Sequence, residues 1–166
     1  MIDAILHVLD QAGPSKISVW TWTVAEYEVQ VLTRLRDDSR VAAGRLVIDA
    51  GARQKNAGII REWQASFGPD AVRYVHNHAK LARVESASGL KLLLRGSMNL
   101  NANPRFEQFD LTEGGADYDL VARVEDEIPA LADNCSGAQV WAATRAAPAF
   151  DSQKLAMFDG LKAWTK

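Results

Sequence analysis

Two short polar segments, His78-Ala79-Lys80 and Gly96-Ser97-Met98-Asn99, carry side chains that could act together on a phosphate group. Each segment places polar side chains at positions i and i+2, which face the same side of a β-strand. An imidazole, whose ordinary pKa is about 6.5, can serve as a nucleophile or as an acid. Lysine and asparagine can stabilise negative charge on phosphoryl oxygens. These residue types are therefore suited to binding a small anion such as a phosphate group and to acting on it.

The sequence between the two segments is typical of a β-hairpin. Apolar runs at 81–84 and 90–94 flank a loop at 86–89 that contains serine and glycine. Two strands joined by so short a loop pair in an antiparallel ladder. The hairpin must therefore bring the two polar segments together.

The register of this hairpin decides which side chains meet. If it closes symmetrically about the loop, His78 lies opposite Ser97, and Lys80 lies opposite Arg95. Asn99 is then the diagonal neighbour of His78, roughly 7–8 Å away. This register predicts four polar groups on one face of the sheet, suited to a small anion. A shift of one residue would move half of them to the other face.

The same residues resemble the motif of the phospholipase D superfamily. That motif consists of His-x-Lys, four further residues, an Asp, about six more residues, and then a Gly-Ser pair and an Asn. Here Glu85 occupies the position of the Asp after His78-x-Lys80, and Gly96-Ser97-Met98-Asn99 follows. The gap between Glu85 and Gly96 is longer than in the family.

The chain contains one His-x-Lys motif, so it resembles the small single-motif members of this superfamily. These are mostly nucleases that dimerise to complete one active site. The resemblance implies that His78 of one subunit attacks phosphorus and forms a phosphohistidine. His78 of the second subunit then protonates the leaving group and activates water. Lys80 and Asn99 stabilise the phosphoryl oxygens, DNA or RNA is the substrate, and neither a metal nor another cofactor is required.

Three residues beside the motif are candidates for supporting roles. Ser97 could hydrogen-bond to the phosphate or orient His78 across the strand pair. Gly96 allows the backbone of a neighbouring segment to approach closely. Along a continuous strand Glu85 points away from the face of His78 and Lys80, so we interpret it as a structural residue at the strand end.

Further charged and aromatic residues could complete the site. Glu107 follows Asn99 by eight residues, and related single-motif enzymes have an acidic residue downstream of the Asn. It could orient His78 as a carboxylate does in a catalytic triad. Arg95 lies on the predicted motif face, and Arg105 follows in the next loop, so both are candidates for binding flanking phosphates. We interpret Trp20 and Trp22 chiefly as core residues, with stacking on bases as the alternative.

Composition limits the classes of function. The net charge of −2 over 166 residues excludes a general basic field that would attract nucleic acid, so contact must be local. The three histidines and the carboxylates show no metal-ligand spacing. No run approaches the ~18 apolar residues of a membrane span, and the first residues do not resemble a signal peptide. We expect a cytoplasmic protein with no membrane contact.

Three alternative functions remain compatible with the sequence. The chain could be a catalytically degenerate module that binds nucleic acid without cutting it, since Glu85 replaces the motif Asp. It could be a phosphodiesterase for a lipid or a small molecule. It could also be a structural module in a larger assembly. A broad basic groove would favour nucleic acid, whereas a narrow apolar pocket would favour the lipid or small molecule.

The pattern of apolar residues predicts one α/β domain over 1–166, with a mixed β-sheet flanked by helices in an α/β/α sandwich. Such an arrangement resembles the phospholipase D fold. Strands are predicted at 17–22, 45–49, 71–75, 81–84, 90–94, 106–111 and 118–124. Helices are predicted from residue 23, over 57–66, over 128–134 and at the C-terminus within 151–166, with a linker at 142–149.

Overall fold

Strands and helices alternate through the first half of the chain and are followed by a run of antiparallel strands. The computed structural model describes residues 1–101 and 107–146. The strands are β1 Ser15–Thr21, β2 Val41–Asp49, β3 Val72–Val75, β4 Leu81–Ser86, β5 Lys91–Gly96 and β6 Phe109–Glu113. The helices are α1 Ile2–Ala12, α2 Glu26–Asp37, α3 Ala57–Phe67, α4 Gly115–Glu127 and α5 Gly137–Ala146. The predicted α/β class is confirmed.

The six strands form one mixed sheet in the order β3-β2-β1-β4-β5-β6. The first three strands are parallel, and the pairs β1/β4, β4/β5 and β5/β6 are antiparallel. The carboxyl ends of β1, β2, β3 and β5 and the beginning of β4 therefore lie at one edge, which we call the site edge. Open α/β sheets bind ligands where parallel strands end.

Helices cover both faces of the sheet. Leu46 and Ile48 of β2 belong to a core that includes Leu32 of α2 and both Ile60 and Trp63 of α3. Val47 points to the opposite face, where it packs with Val124 of α4. Burying a side chain of this size contributes roughly 1.5–3 kcal/mol, so the two apolar layers stabilise the sandwich. Within the described residues, no helix is both long and apolar enough to cross a membrane.

Two predictions near the end of the described chain are wrong. The segment 118–124, predicted as a strand, lies in α4, because Tyr118, Val124 and Glu125 are buried at helical spacing. The buried charge of Glu125 interrupts the apolar pattern and hides its period. The segment 128–134, predicted as a helix, has no helical residue. Pro129 is the second residue of that segment, and α4 ends before it.

The N-terminal and C-terminal helices also differ from the prediction. Helix α1 was not predicted, although Ile2, Ile5 and Leu9 are buried along one side of it. The predicted linker at 142–149 is helical as far as the end of α5, where Val140 and Ala143 are buried. The predicted C-terminal helix within 151–166 lies outside the described residues, as does the beginning of the strand predicted over 106–111.

Candidate functional site

The segment that contains His78 and Lys80 is held in place by Asn77, the residue directly before His78. Asn77 is buried, and its backbone N–H donates to Asp49 Oδ2 at 2.9 Å. Its side-chain amide donates to the carbonyl oxygens of Thr21 at 3.1 Å and Ala79 at 3.2 Å. Its Oδ1 accepts from Ala79 N at 2.9 Å. Asn77 therefore connects the motif segment to the ends of β1 and β2.

The motif segment precedes β4 and is not part of it. Residues 76–80 have no strand pairing along their length, and β4 begins at Leu81. His78 is exposed at the site edge and lies beside Trp22, with ring centroids 6.4 Å apart and planes tilted by 51°. Trp22 is itself 49% exposed, so its interpretation as a core residue is wrong. An imidazole and an indole thus share one open surface.

Asn99 lies at the end of β1, where one side of its side-chain amide is occupied. Its Oδ1 accepts from Trp22 N at 3.1 Å and lies 3.3 Å from Thr21 Oγ1. The Thr21 hydroxyl also accepts from Leu100 N at 3.0 Å. Among the described residues, the Asn99 Nδ2 group has no hydrogen-bond partner. The fixed oxygen orients this amide so that its N–H groups remain available as donors.

Lys80, Ser97 and Glu107 form a second polar cluster at the site edge. Lys80 Nζ donates to the carbonyl oxygen of His78 at 2.7 Å. Partial burial lowers the pKa of Lys80, and the charge of Glu107 opposes this effect. The Ser97 hydroxyl donates to Glu107 and accepts from Gln108 N at 3.1 Å. The structure thus places Glu107 against Ser97 and within electrostatic reach of Lys80.

Gly96 lies close to the backbone of the segment that leads into β6. A Cβ atom at this position would lie 2.4 Å from the carbonyl oxygen of Gln108 and 3.1 Å from Phe109 Cβ. The same carbonyl accepts from Ser97 N at 3.0 Å. The absence of a side chain at Gly96 therefore allows the pairing that brings Ser97 beside residues 107 and 108.

The hairpin is present, but its register differs by one residue from the symmetric closure. Leu81 is paired with Arg95, and Lys80 O accepts from Gly96 N at 3.0 Å. The cause is the tighter loop, in which Ser86 N donates to Leu90 O at 2.9 Å. The predicted pairings of Lys80 with Arg95 and of His78 with Ser97 are therefore wrong.

The shift in register removes Arg95 from the motif face. Its guanidinium contacts Asp110 Oδ1 at 3.0 Å and Asp117 Oδ2 at 2.5 Å, on the side of the sheet where α4 packs. Arg95 therefore connects β5 to β6 and α4. The other candidate for binding a flanking phosphate, Arg105, lies outside the described residues. Glu85 lies at the far end of β4, opposite Lys16 and Lys91 in the ladder.

Sequence reasoning missed the residues that hold the motif in place. Thr21 and Asp49 each end a buried parallel strand, which is where open α/β sheets place functional groups. That signal could have identified both. Nothing in the sequence marks Asn77 as a positioning residue except that it directly precedes His78. Within the described residues, no group of three or more His, Cys, Asp or Glu side chains is arranged to hold a metal ion.

Comparison of the whole chain with known protein families gives no match, and comparison with curated proteins also gives none.

Proposed function

We propose that this protein is a metal-independent phosphodiesterase, acting as a nuclease on DNA or RNA through a phosphohistidine in a homodimeric active site. The observation that carries the proposal is the meeting of two polar segments at one edge of the sheet. His78 and Lys80 approach from the end of β3, and Ser97 and Asn99 approach from the end of β5. All four belong to the motif that resembles the phospholipase D superfamily.

The proposed reaction has two steps. A ring nitrogen of His78 attacks phosphorus, and the bond between phosphorus and the leaving oxygen breaks. His78 of the second subunit gives a proton to that oxygen. The second imidazole, now neutral, takes a proton from water; the water oxygen attacks phosphorus, and the bond between phosphorus and the nitrogen of the first His78 breaks. The products are a phosphate monoester, an alcohol and the original imidazoles.

Lys80 and Asn99 stabilise the charge that develops on the phosphoryl oxygens. The Asn99 amide has its oxygen fixed by Trp22 N, so its N–H groups are oriented before substrate binds. A preorganised donor of this kind contributes about 10²–10³ in kcat. The Ser97 hydroxyl donates a hydrogen bond to Glu107, which holds the Glu107 carboxylate within electrostatic reach of the Lys80 ammonium group.

The exposed indole beside His78 supports a nucleic acid substrate. Trp22 is 49% exposed, and its ring centroid lies 6.4 Å from that of His78. A base stacked on this ring would place its own phosphate near the imidazole, and such stacking is worth about 1–3 kcal/mol per base. Because the net charge is −2, binding must depend on local contacts of this type.

The proposal also includes action in the cytoplasm. The sequence has one cysteine, Cys135, which is buried and cannot form an intramolecular disulfide. Disulfide bonds are rare in reducing compartments, so a single thiol is compatible with this location.

The deciding experiment measures phosphodiester cleavage in excess EDTA by the wild type and by His78→Ala. The substrates are single-stranded DNA, plasmid DNA, RNA and a chromogenic diester. We expect cleavage that resists EDTA and is lost in His78→Ala, with a labelled phosphate trapped on the wild-type protein after acid-free quenching. Binding of oligonucleotide without cleavage would support the degenerate module instead. Cleavage abolished by EDTA, or retained by His78→Ala, would contradict the histidine mechanism.

A second candidate is a phosphodiesterase for a small molecule, which is favoured by an apolar cavity beside His78. The cavity has a volume of about 290 Å³ and includes His78 in its wall. Its narrow, apolar character differs from that of a basic groove for a polymer.

A further inference from the structure

An apolar cavity opens beside the candidate nucleophile, between the motif segment and α4. Its volume is about 290 Å³. Trp20 and Leu81 form the floor from the sheet side, Val121 and Val124 contribute from α4, and His78 lies at the wall. A group bound to a phosphate at His78 could therefore extend directly into it.

Three polar side chains at this cavity, those of Trp20, Asn77 and Thr144, are already engaged with the protein. Trp20 Nε1 donates to Glu125 Oε1 at 2.7 Å. Thr144 Oγ1 donates to Val140 O at 2.8 Å and accepts from His76 N at 3.0 Å. The Asn77 side chain makes the three hydrogen bonds that hold the motif segment. A nucleobase edge placed against these three side chains would find no free partner there, at a cost of about 1–3 kcal/mol per unpaired group.

We infer that the cavity is a subsite for an uncharged aryl or short alkyl group esterified to the substrate phosphate. This inference rests on the second candidate function, a phosphodiesterase for a small molecule, and adds the chemical class of one substituent. The charge arrangement supports it, because Lys80 can bind the phosphate anion while the adjoining wall is apolar. An amphiphilic diester matches both parts of this surface.

The volume limits the size of the occupant. At roughly 30 Å³ for a water-sized group, the cavity holds about ten such groups. That corresponds to one or two rings or a short chain, and it is too small for two long acyl chains. Sites that enclose larger organic ligands occupy about 300–1,000 Å³, so this cavity accommodates one substituent.

The test compares two chromogenic diesters that share a leaving group. Phenyl 4-nitrophenyl phosphate and methyl 4-nitrophenyl phosphate differ only in the substituent that would enter the cavity. We expect the phenyl ester to have a kcat/KM about tenfold higher or more. Val121→Phe, which fills the cavity from α4, should remove this preference. Val31→Phe is the matched control, because Val31 is a half-buried valine of α2 that lies outside the cavity.

A binding measurement separates failure of the inference from failure of the proposed function. Titration calorimetry with diphenyl phosphate and dimethyl phosphate, on the wild type and both valine variants, needs no turnover. If neither chromogenic ester is cleaved but diphenyl phosphate binds and Val121→Phe prevents it, the subsite stands and the enzyme proposal fails. If both esters are cleaved equally and Val121→Phe changes nothing, the subsite is overturned and the enzyme proposal stands. A change in sedimentation of Val121→Phe would assign the cavity to self-association and overturn the subsite.

Discussion

At the scale of single residues, the site depends on two asparagines with opposite tasks. Asn77 is buried and uses its side chain entirely on the protein, which fixes the segment that contains His78. Within the part of the chain that the structure describes, Asn99 uses only its oxygen on the protein, which leaves its N–H groups available as donors. One amide positions the site, and the other is available to a substrate.

Asn77→Asp tests the positioning role, because a carboxylate retains the acceptor but loses both donors. The carbonyl oxygens of Thr21 and Ala79 would then face an anion. We expect the free energy of unfolding to fall by about 1–3 kcal/mol and kcat to fall while KM changes little. Urea denaturation and steady-state kinetics measure both. Asn134→Asp, at an exposed position, is the control and should stay within about 0.5 kcal/mol of the wild type.

Lys80 predicts a pH dependence of substrate binding. Burial lowers the pKa of this lysine, so its positive charge is lost at a lower pH than the ordinary value of about 10.4. Phosphate binding needs the protonated form, and we therefore expect KM to rise as the pH increases through this lowered pKa. In Lys80→Arg the guanidinium stays charged, and the alkaline rise should disappear. The test is KM measured from neutral to alkaline pH for the wild type and for Lys80→Arg. Identical profiles for the two proteins would contradict the assignment of Lys80 to phosphate binding.

The residue types of the site were predictable from the sequence, but their contacts were not. Spacing alone indicated that His78, Lys80 and Asn99 belong together, because short motifs are local. The contacts of Thr21 and Asp49 with the motif segment join residues far apart in sequence. Such contacts depend on which strands end at the same edge, and only the assembled sheet determines this.

At the scale of elements, a shift of one residue in the register of the hairpin changes which side chains face the candidate site. The prediction of β4 and β5 as an antiparallel pair is confirmed, yet symmetric closure placed Arg95 on the wrong side. The loop between Ser86 and Leu90 is tighter than the serine and glycine content suggested. The geometry of the turn therefore determines the register of the two strands, which the pattern of apolar residues alone does not determine.

Helix α4 shows how a buried charged residue obscures the helical period of the apolar residues. Its buried Glu125 accepts from Ser18 Oγ at 2.6 Å and pairs with Arg83 at 2.5 Å. A charged residue at a core position interrupts the apolar period, so the sequence alternation was interpreted as a strand. The partners that make such a burial possible lie on β1 and β4, and neither is close to α4 in sequence.

Gly96→Ala tests the pairing between β5 and β6 that positions Ser97. The added Cβ would lie 2.4 Å from the Gln108 carbonyl oxygen, so the strands must separate or shift. We expect a loss of about 1–3 kcal/mol in stability and a fall in cleavage activity. Gly58→Ala is the matched control, since a Cβ there meets no atom within 4 Å. It should leave activity unchanged and stability equal or higher by up to about 1 kcal/mol. Equal behaviour of the two variants in denaturation would contradict the close approach.

At the scale of the whole molecule, three large exposed apolar side chains lie around the motif. Trp22 lies beside the His78 ring, Leu120 lines the cavity, and Trp141 packs against His76 with ring centroids 4.3 Å apart and planes tilted by 43°. All three large side chains are at least 40% exposed. Exposed apolar groups near a site are typical of a surface that binds a ligand or a second copy of the chain, and a mixed-dimer experiment distinguishes the two.

Mixed dimers provide the test of a shared active site. If both copies of His78 serve one site, a dimer with one His78→Ala subunit is inactive. Equal amounts of wild type and His78→Ala, unfolded together and refolded, should then retain about one quarter of the wild-type activity, because two-fold dimers form at random. Independent sites would retain about one half. The control mixes wild type with Asn134→Asp, exposed and outside the site, and should retain full activity. Activity near one half, with dimers confirmed by sedimentation, would show that each subunit completes its own site and would remove the second histidine from the mechanism.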